Sequence, residues 1–135
     1  VTLPAFGGGA LILTTAAGAV ALGDDLPRAV RVRVLGDAPL LGGREVVEAV
    51  RAERHEVVLT EGGPHLIGTF LEAGLLDELF LTVSPVFAGD RVVPGRRGLV
   101  EGLHLGPGSL RTADLLSVRL HGSHLFLRYA LTPPR

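Results

Sequence analysis

Residues 57–71 read VVLTEGGPHLIGTFL, and this stretch decides the fold. Val57 to Thr60 is a short apolar, branched run with the composition of a buried strand. Gly62-Gly63 breaks it. Pro64 suits the first position of a helix, where its missing N–H would have no intrahelical acceptor in any case. His65 to Ala73 continues that helix, with Leu66, Ile67, Phe70 and Leu71 as its buried stripe, and Gly74 suits its C-terminal end. A strand running through a glycine pair into a helix is also the geometry of a general anion site. The first N–H groups of a helix are unpaired and carry the positive end of its dipole, and glycines let a phosphate approach the backbone closely. Ligands in open α/β sheets lie beyond the carboxyl ends of the strands, where Gly62 and Gly63 stand. A tight turn with no ligand is the other reading of such a pair, and the spacing is not the G-x-G-x-x-G dinucleotide fingerprint.

Outward from this stretch the chain alternates. Ala10 to Thr14 (ALILT) predicts a buried strand after the Gly7-Gly8-Gly9 loop. Residues 16–29 read as loop or weak helix. Val30 to Leu35 (VRVRVL) alternates valine with arginine, so Val30, Val32 and Val34 share one face of a half-buried strand and Arg31 and Arg33 the other. Leu41 to Arg54 carries Val46, Val47 and Val50 at helical spacing. Leu79 to Val83 is a strand ended by Ser84-Pro85. Residues 88–109 read as a long irregular segment rich in glycine and proline, with Arg91, Arg96 and Arg97. Arg111 to Leu120 and Leu125 to Leu131 form a hairpin joined by His121-Gly122-Ser123-His124. The order implies parallel crossovers with helices on both faces, followed by antiparallel strands.

Composition narrows the function classes. The chain has 135 residues, enough for one domain with a real core, and 47% of them are apolar. Mean hydropathy is +0.41, yet no apolar run reaches the roughly 18 residues that span a bilayer, so a buried sheet explains it. No basic region precedes an apolar stretch at the N-terminus, so no secretory signal is expected. The net charge of −1 gives no reason to expect nucleic acid or an anionic membrane as partner. Cysteine is absent, which removes disulfides, thiolate metal sites and a cysteine nucleophile. All 13 basic residues are arginine, so there is no lysine for a Schiff base or a P-loop. Ser84 and Ser117 lack nucleophile-elbow glycines. His121 and His124 fit a polar turn, and no zinc-binding spacing is present, so no metal site is expected. Glu61 stands at a strand end, where an acid is either solvated or functional.

The stretch EGGPHLIGTFLEAGLLDELFLTVSPVFAGD, residues 61–90, resembles the reductase domain of bacterial bifunctional riboflavin-biosynthesis proteins. The residues that carry the resemblance are Glu61, Gly62, Gly63, Pro64, Leu66, Gly74, Leu75, Asp77, Glu78, Leu79 and Pro85. ALILTT at 10–15 resembles the family's earlier cofactor-side strand and turn, and HLFLRY at 124–129 its ending.

The resemblance implies a three-layer, dihydrofolate-reductase-like α/β fold over residues 1–135, a single domain. Its sheet would be mixed and mostly parallel, with a C-terminal β-hairpin. The implied activity is NADPH-dependent reduction of a ribosylamino-pyrimidine 5'-phosphate to the ribitylamino form, in a cytoplasmic homodimer. The resemblance places Gly62, Gly63, Pro64 and His65 against the NADPH phosphates, with Leu66 at their border. Thr14 and Thr15 would line the adenosine side, Gly36 would lie near the cofactor, and Glu61 would face the substrate as the catalytic candidate. The family usually has threonine where this chain has His65. It also begins with a further strand, helix and S-x-D-G-type turn that help bind substrate, so the chain is expected to be N-terminally truncated. Two other classes fit the sequence: a reductase of folate or pteridine substrates, and a non-catalytic nucleotide-binding module.

Overall fold

The computed structural model describes residues 9–87, 98–106 and 110–132. Arg91, Arg96 and Arg97 lie outside the described residues. The chain divides at Thr60/Glu61 into two compact units.

The first unit contains β1 (Ala10–Thr14), α1 (Ala16–Leu22), β2 (Val30–Val34) and α2 (Gly43–Ala52). β1 and β2 pair in parallel, with Ala10 opposite Val30 and Thr14 opposite Val34. α1 is the crossover between them, and Thr15 starts it as the N-cap: its hydroxyl accepts the Gly18 N–H at 3.1 Å. At the start of α2 the Glu45 carboxylate accepts the Gly42 N–H at 2.9 Å, which is half of a capping box; glycine has no side chain to complete it. Gly43 and Ala49 are buried on α2.

The period of two in β2 holds, but its two sides are used differently from a plain apolar-in pattern. Arg31 pairs with Glu53 at the end of α2 at 2.6 Å, and Arg33 donates to the Ala49 carbonyl at 3.4 Å. Val32 and Val34 are 39% and 49% exposed. The Arg33 head thus meets a carbonyl in the last turn of α2 and the Arg31 head a carboxylate at its C-cap, near a helix C-terminus where positive charge is favoured.

The second unit contains α3 (Pro64–Glu72), β3 (Glu78–Val83), β4 (Ala113–His121) and β5 (His124–Leu131). Pro64 opens α3 as anticipated, and Phe70 and Gly68 are its buried residues. Gly74 ends it at φ 66°. There the Gly74 N–H bonds to the Leu71 carbonyl and the Leu75 N–H to the Phe70 carbonyl, the two bonds of a Schellman motif. The three strands run antiparallel in the order β3-β5-β4. Gly122 at φ 57° provides the left-handed first position that a two-residue hairpin loop needs. Registered partners share a face, so Leu79, Leu81, Val83, Leu115, Val118, Leu120, Leu125, Leu127 and Tyr129 form one apolar face. Leu116 is the extra residue of a bulge. On the other face Arg128 grips Glu78 through two hydrogen bonds of 2.5 and 2.8 Å and lies 5.5 Å from the centre of the Phe80 ring.

The architecture is mixed α/β with a C-terminal hairpin, as the sequence predicts. The strand balance differs: among the described residues one pair is parallel and two pairings are antiparallel. The expected strand at Val57 to Thr60 is not formed, and Val57 and Leu59 are 89% and 76% exposed. Branched side chains favour the extended state, but a strand exists only with a ladder partner. Among the described residues no helix is long and apolar enough to cross a membrane.

Candidate functional site

In the first unit the sheet topology brings Thr14, Thr15 and Gly36 together at the carboxyl ends of β1 and β2. The Leu35 N–H bonds to the Thr14 carbonyl, and the Ala16 N–H to the Gly36 carbonyl, both at 2.9 Å. Gly18 comes so close to Thr14 that a Cβ there would collide with the threonine hydroxyl. At Gly36 nothing among the described residues stands within 4 Å of where a Cβ would be. Thr15 spends its hydroxyl on the α1 cap, so its structural role is established by geometry.

In the second unit Glu61, Gly62, Gly63, Pro64, His65 and Leu66 lead into and form the first turn of α3. Gly63 is the N-cap at φ −71° and ψ 175°, and its carbonyl accepts the Ile67 N–H at 3.1 Å. With proline first in the helix, the N–H groups of His65 and Leu66 have no intrahelical acceptor. At Gly62 a Cβ would displace the end of the Leu66 side chain. Among the described residues, nothing stands within 4 Å of the place a Cβ would take on Gly63. The turn is therefore closed by Leu66 at Gly62 and open at Gly63, which fits the approach of a phosphate to the backbone. Glu61 is exposed.

Glu101, which the sequence reading did not single out, completes this turn. Its N–H donates to the Pro64 carbonyl at 3.1 Å, its own carbonyl lies against Gly68, and its carboxylate stands 3.3 Å from the His65 imidazole. No sequence signal marks it: it sits among glycines in a segment without periodicity.

A cleft of about 320 Å³ lies in the first unit. It opens at the amino ends of β1 and β2, lined by Leu11, Leu13, Arg31, Val50, Glu53 and His55. Arg31 holds the Glu53 carboxyl below its usual range, mainly by hydrogen bonding, so the cleft's arginine is already balanced.

The sequence model of the RibD C-terminal domain matches residues 10–121, which include both the β1–α1 junction and the start of α3. No curated protein shows significant sequence similarity to the chain. Among solved structures it is similar to form 2 of RibD from Acinetobacter baumannii, with a TM-score of 0.57 and 21% identity over 90% of this chain. The chain spans 37% of the length of that protein. At that identity the likeness speaks for the fold alone, which is dihydrofolate-reductase-like. The match over residues 10–121 shows that this chain belongs to the RibD C-terminal domain family, the reductase module of riboflavin biosynthesis.

Proposed function

We propose that this chain binds NADPH and reduces a ribosylamino-pyrimidine 5'-phosphate to its ribitylamino form. The observation that carries the reading is the start of α3: a glycine N-cap with open space beside it, followed by two helix N–H groups without intrahelical acceptors. Gly62, Gly63, Pro64, His65 and Leu66 bind the phosphates in this reading, with His65 acting through its backbone N–H. Thr14, Thr15 and Gly36 serve the adenosine side, supported by their convergence at the strand ends. Glu61 meets the substrate's ribosyl-phosphate or amino groups.

Bound NADPH supplies the hydride, and the protein contributes orientation and water exclusion. The reaction therefore needs no nucleophilic triad. The chain works in the cytoplasm as a homodimer. The half-exposed Leu125 and Phe126, beside Leu127, Tyr129 and Leu131, support association through the hairpin sheet.

The test is an NADPH titration followed by turnover, read as loss of the reduced-nicotinamide absorbance. Binding with turnover of the pyrimidine supports the proposal. Turnover of a folate or pteridine alone redirects the substrate. Binding without turnover of any of these indicates a nucleotide-binding module, and the absence of binding overturns the reductase reading.

A further inference from the structure

We propose that Gly18 is a positioning residue for the cofactor site: having no side chain, it lets the Thr14 hydroxyl take the orientation that serves the adenosine side of NADPH. This role rests on the reading of Thr14, Thr15 and Gly36 as that side of the site. Gly18 is the third residue of α1, in the run AAGAVAL. Glycine is a poor residue for a helix interior, and its neighbours here are alanines, the best. The contact with β1 accounts for it. A Cβ on Gly18 would collide with the Thr14 hydroxyl, and would stand 3.4 Å from the Thr15 hydroxyl and 3.5 Å from the Thr14 Cβ. The missing side chain is therefore the space in which the Thr14 hydroxyl lies.

The two threonines divide the work. Thr15 Oγ1 accepts the Gly18 N–H at 3.1 Å and is committed to the α1 cap. Thr14 is fixed by its backbone, whose carbonyl accepts the Leu35 N–H at 2.9 Å. Its hydroxyl carries no such bond among the described residues, and it stands at the carboxyl end of β1. A hydroxyl both donates and accepts, which suits a ribose hydroxyl or a phosphate oxygen.

Threonine is branched at Cβ, so its side chain has few staggered positions to choose from. These turn Oγ1, Cγ2 or the Cβ hydrogen toward residue 18. With glycine there, Oγ1 fits. A methyl group leaves room for neither Oγ1 nor Cγ2. Gly18→Ala therefore rotates the threonine until its Cβ hydrogen faces α1, and the hydroxyl leaves its place. The effect reaches ligand through Thr14, and Gly18 itself need touch nothing.

The test is NADPH binding by the full chain, read from reduced-nicotinamide fluorescence, with urea unfolding of each variant alongside. Loss of one hydrogen bond weakens binding by about threefold to tenfold, and this is expected of Thr14→Ala and of Gly18→Ala alike. Thr14→Ser keeps the hydroxyl and should recover most of the binding lost in Thr14→Ala. The double variant, Thr14→Ala with Gly18→Ala, should bind no more weakly than Thr14→Ala, because the methyl group then has no hydroxyl to displace. In turnover the loss should fall on KM for NADPH more than on kcat. Native-like binding by Gly18→Ala, or losses that multiply in the double variant, overturns the role of Gly18 and leaves the cofactor reading intact. Absence of NADPH binding by the native protein overturns both. Should Gly18→Ala fail to fold, the double variant regains the fold because its collision is relieved, and a double variant that stays unfolded overturns the contact.

Discussion

Gly63 and Gly68 look alike in the sequence, yet the structure gives them opposite roles. Gly63 sits at an N-cap with ordinary dihedral angles and open space beside it. Gly63→Ala is therefore expected to cost about 1 kcal/mol or less of stability. If the turn cradles phosphate, the same methyl group blocks the approach and removes a hydrogen bond to charge, weakening NADPH binding by about tenfold or more. A denaturant titration paired with a binding titration checks both halves. Gly68 is buried beneath the Glu101 carbonyl. Gly68→Ala gains roughly 1 kcal/mol of helix propensity but overpacks a backbone contact, at about 1–3 kcal/mol. A net loss of up to about 2 kcal/mol is expected in urea unfolding, with lost amide protection at Glu101. Of the two positions, Gly68 is the one with a close neighbour. Which neighbour makes that approach depended on Glu101, far along the chain.

Local rules describe α3 almost completely. Proline at its start, an apolar stripe and a glycine at its end were all legible, and the Schellman bonds at Gly74 and Leu75 follow from them. The strands were legible by period and the β4–β5 hairpin by its turn, but the pairing of β3 with β5 was not. Glu78 and Arg128 lie on β3 and β5, which are adjacent in space and separated in sequence by β4. Hydrogen bonding to Arg128 holds the Glu78 carboxyl below its usual range. A carboxyl whose folded value is depressed stabilises the fold above its unfolded value, near 4.3, and that contribution is lost as pH falls through the folded value. Glu78→Gln removes this component. Its stability should decline less steeply than the native protein's below about pH 5, as read by thermal unfolding across an acid pH series. An unchanged slope would show that solvent already screens the pair.

The family match extends over residues 10–121 and so takes in both units, although the chain spans only 37% of the solved RibD it resembles. The hairpin sheet carries an apolar face on which Leu120 is 70% and Leu115 54% exposed. Monomers seldom leave a large apolar patch uncovered. If that face joins two copies, light scattering should give a mass near twice the 14.1 kDa of one chain. Leu120→Arg should shift the population toward the monomer at the same concentration, because it places an unpaired charge in the contact. A native protein that stays at the single-chain mass sinks the homodimer.

The sequence alone was enough for whatever depends on neighbours along the chain. Periodicity, proline and glycine positions and a compact run of motif residues determined most helices and strands, the hairpin and the family resemblance, because those signals act within a turn or a strand. Tertiary structure decided what depends on partners distant in sequence. Val57 to Thr60 had a strand's composition and formed none, because a ladder needs a second chain segment. The arginines of β2 turned toward α2, because a helix C-terminus and Glu53 stood there to receive them. Gly62 and Gly63, identical in sequence, became one closed and one open position, because Leu66 folds back over only one of them.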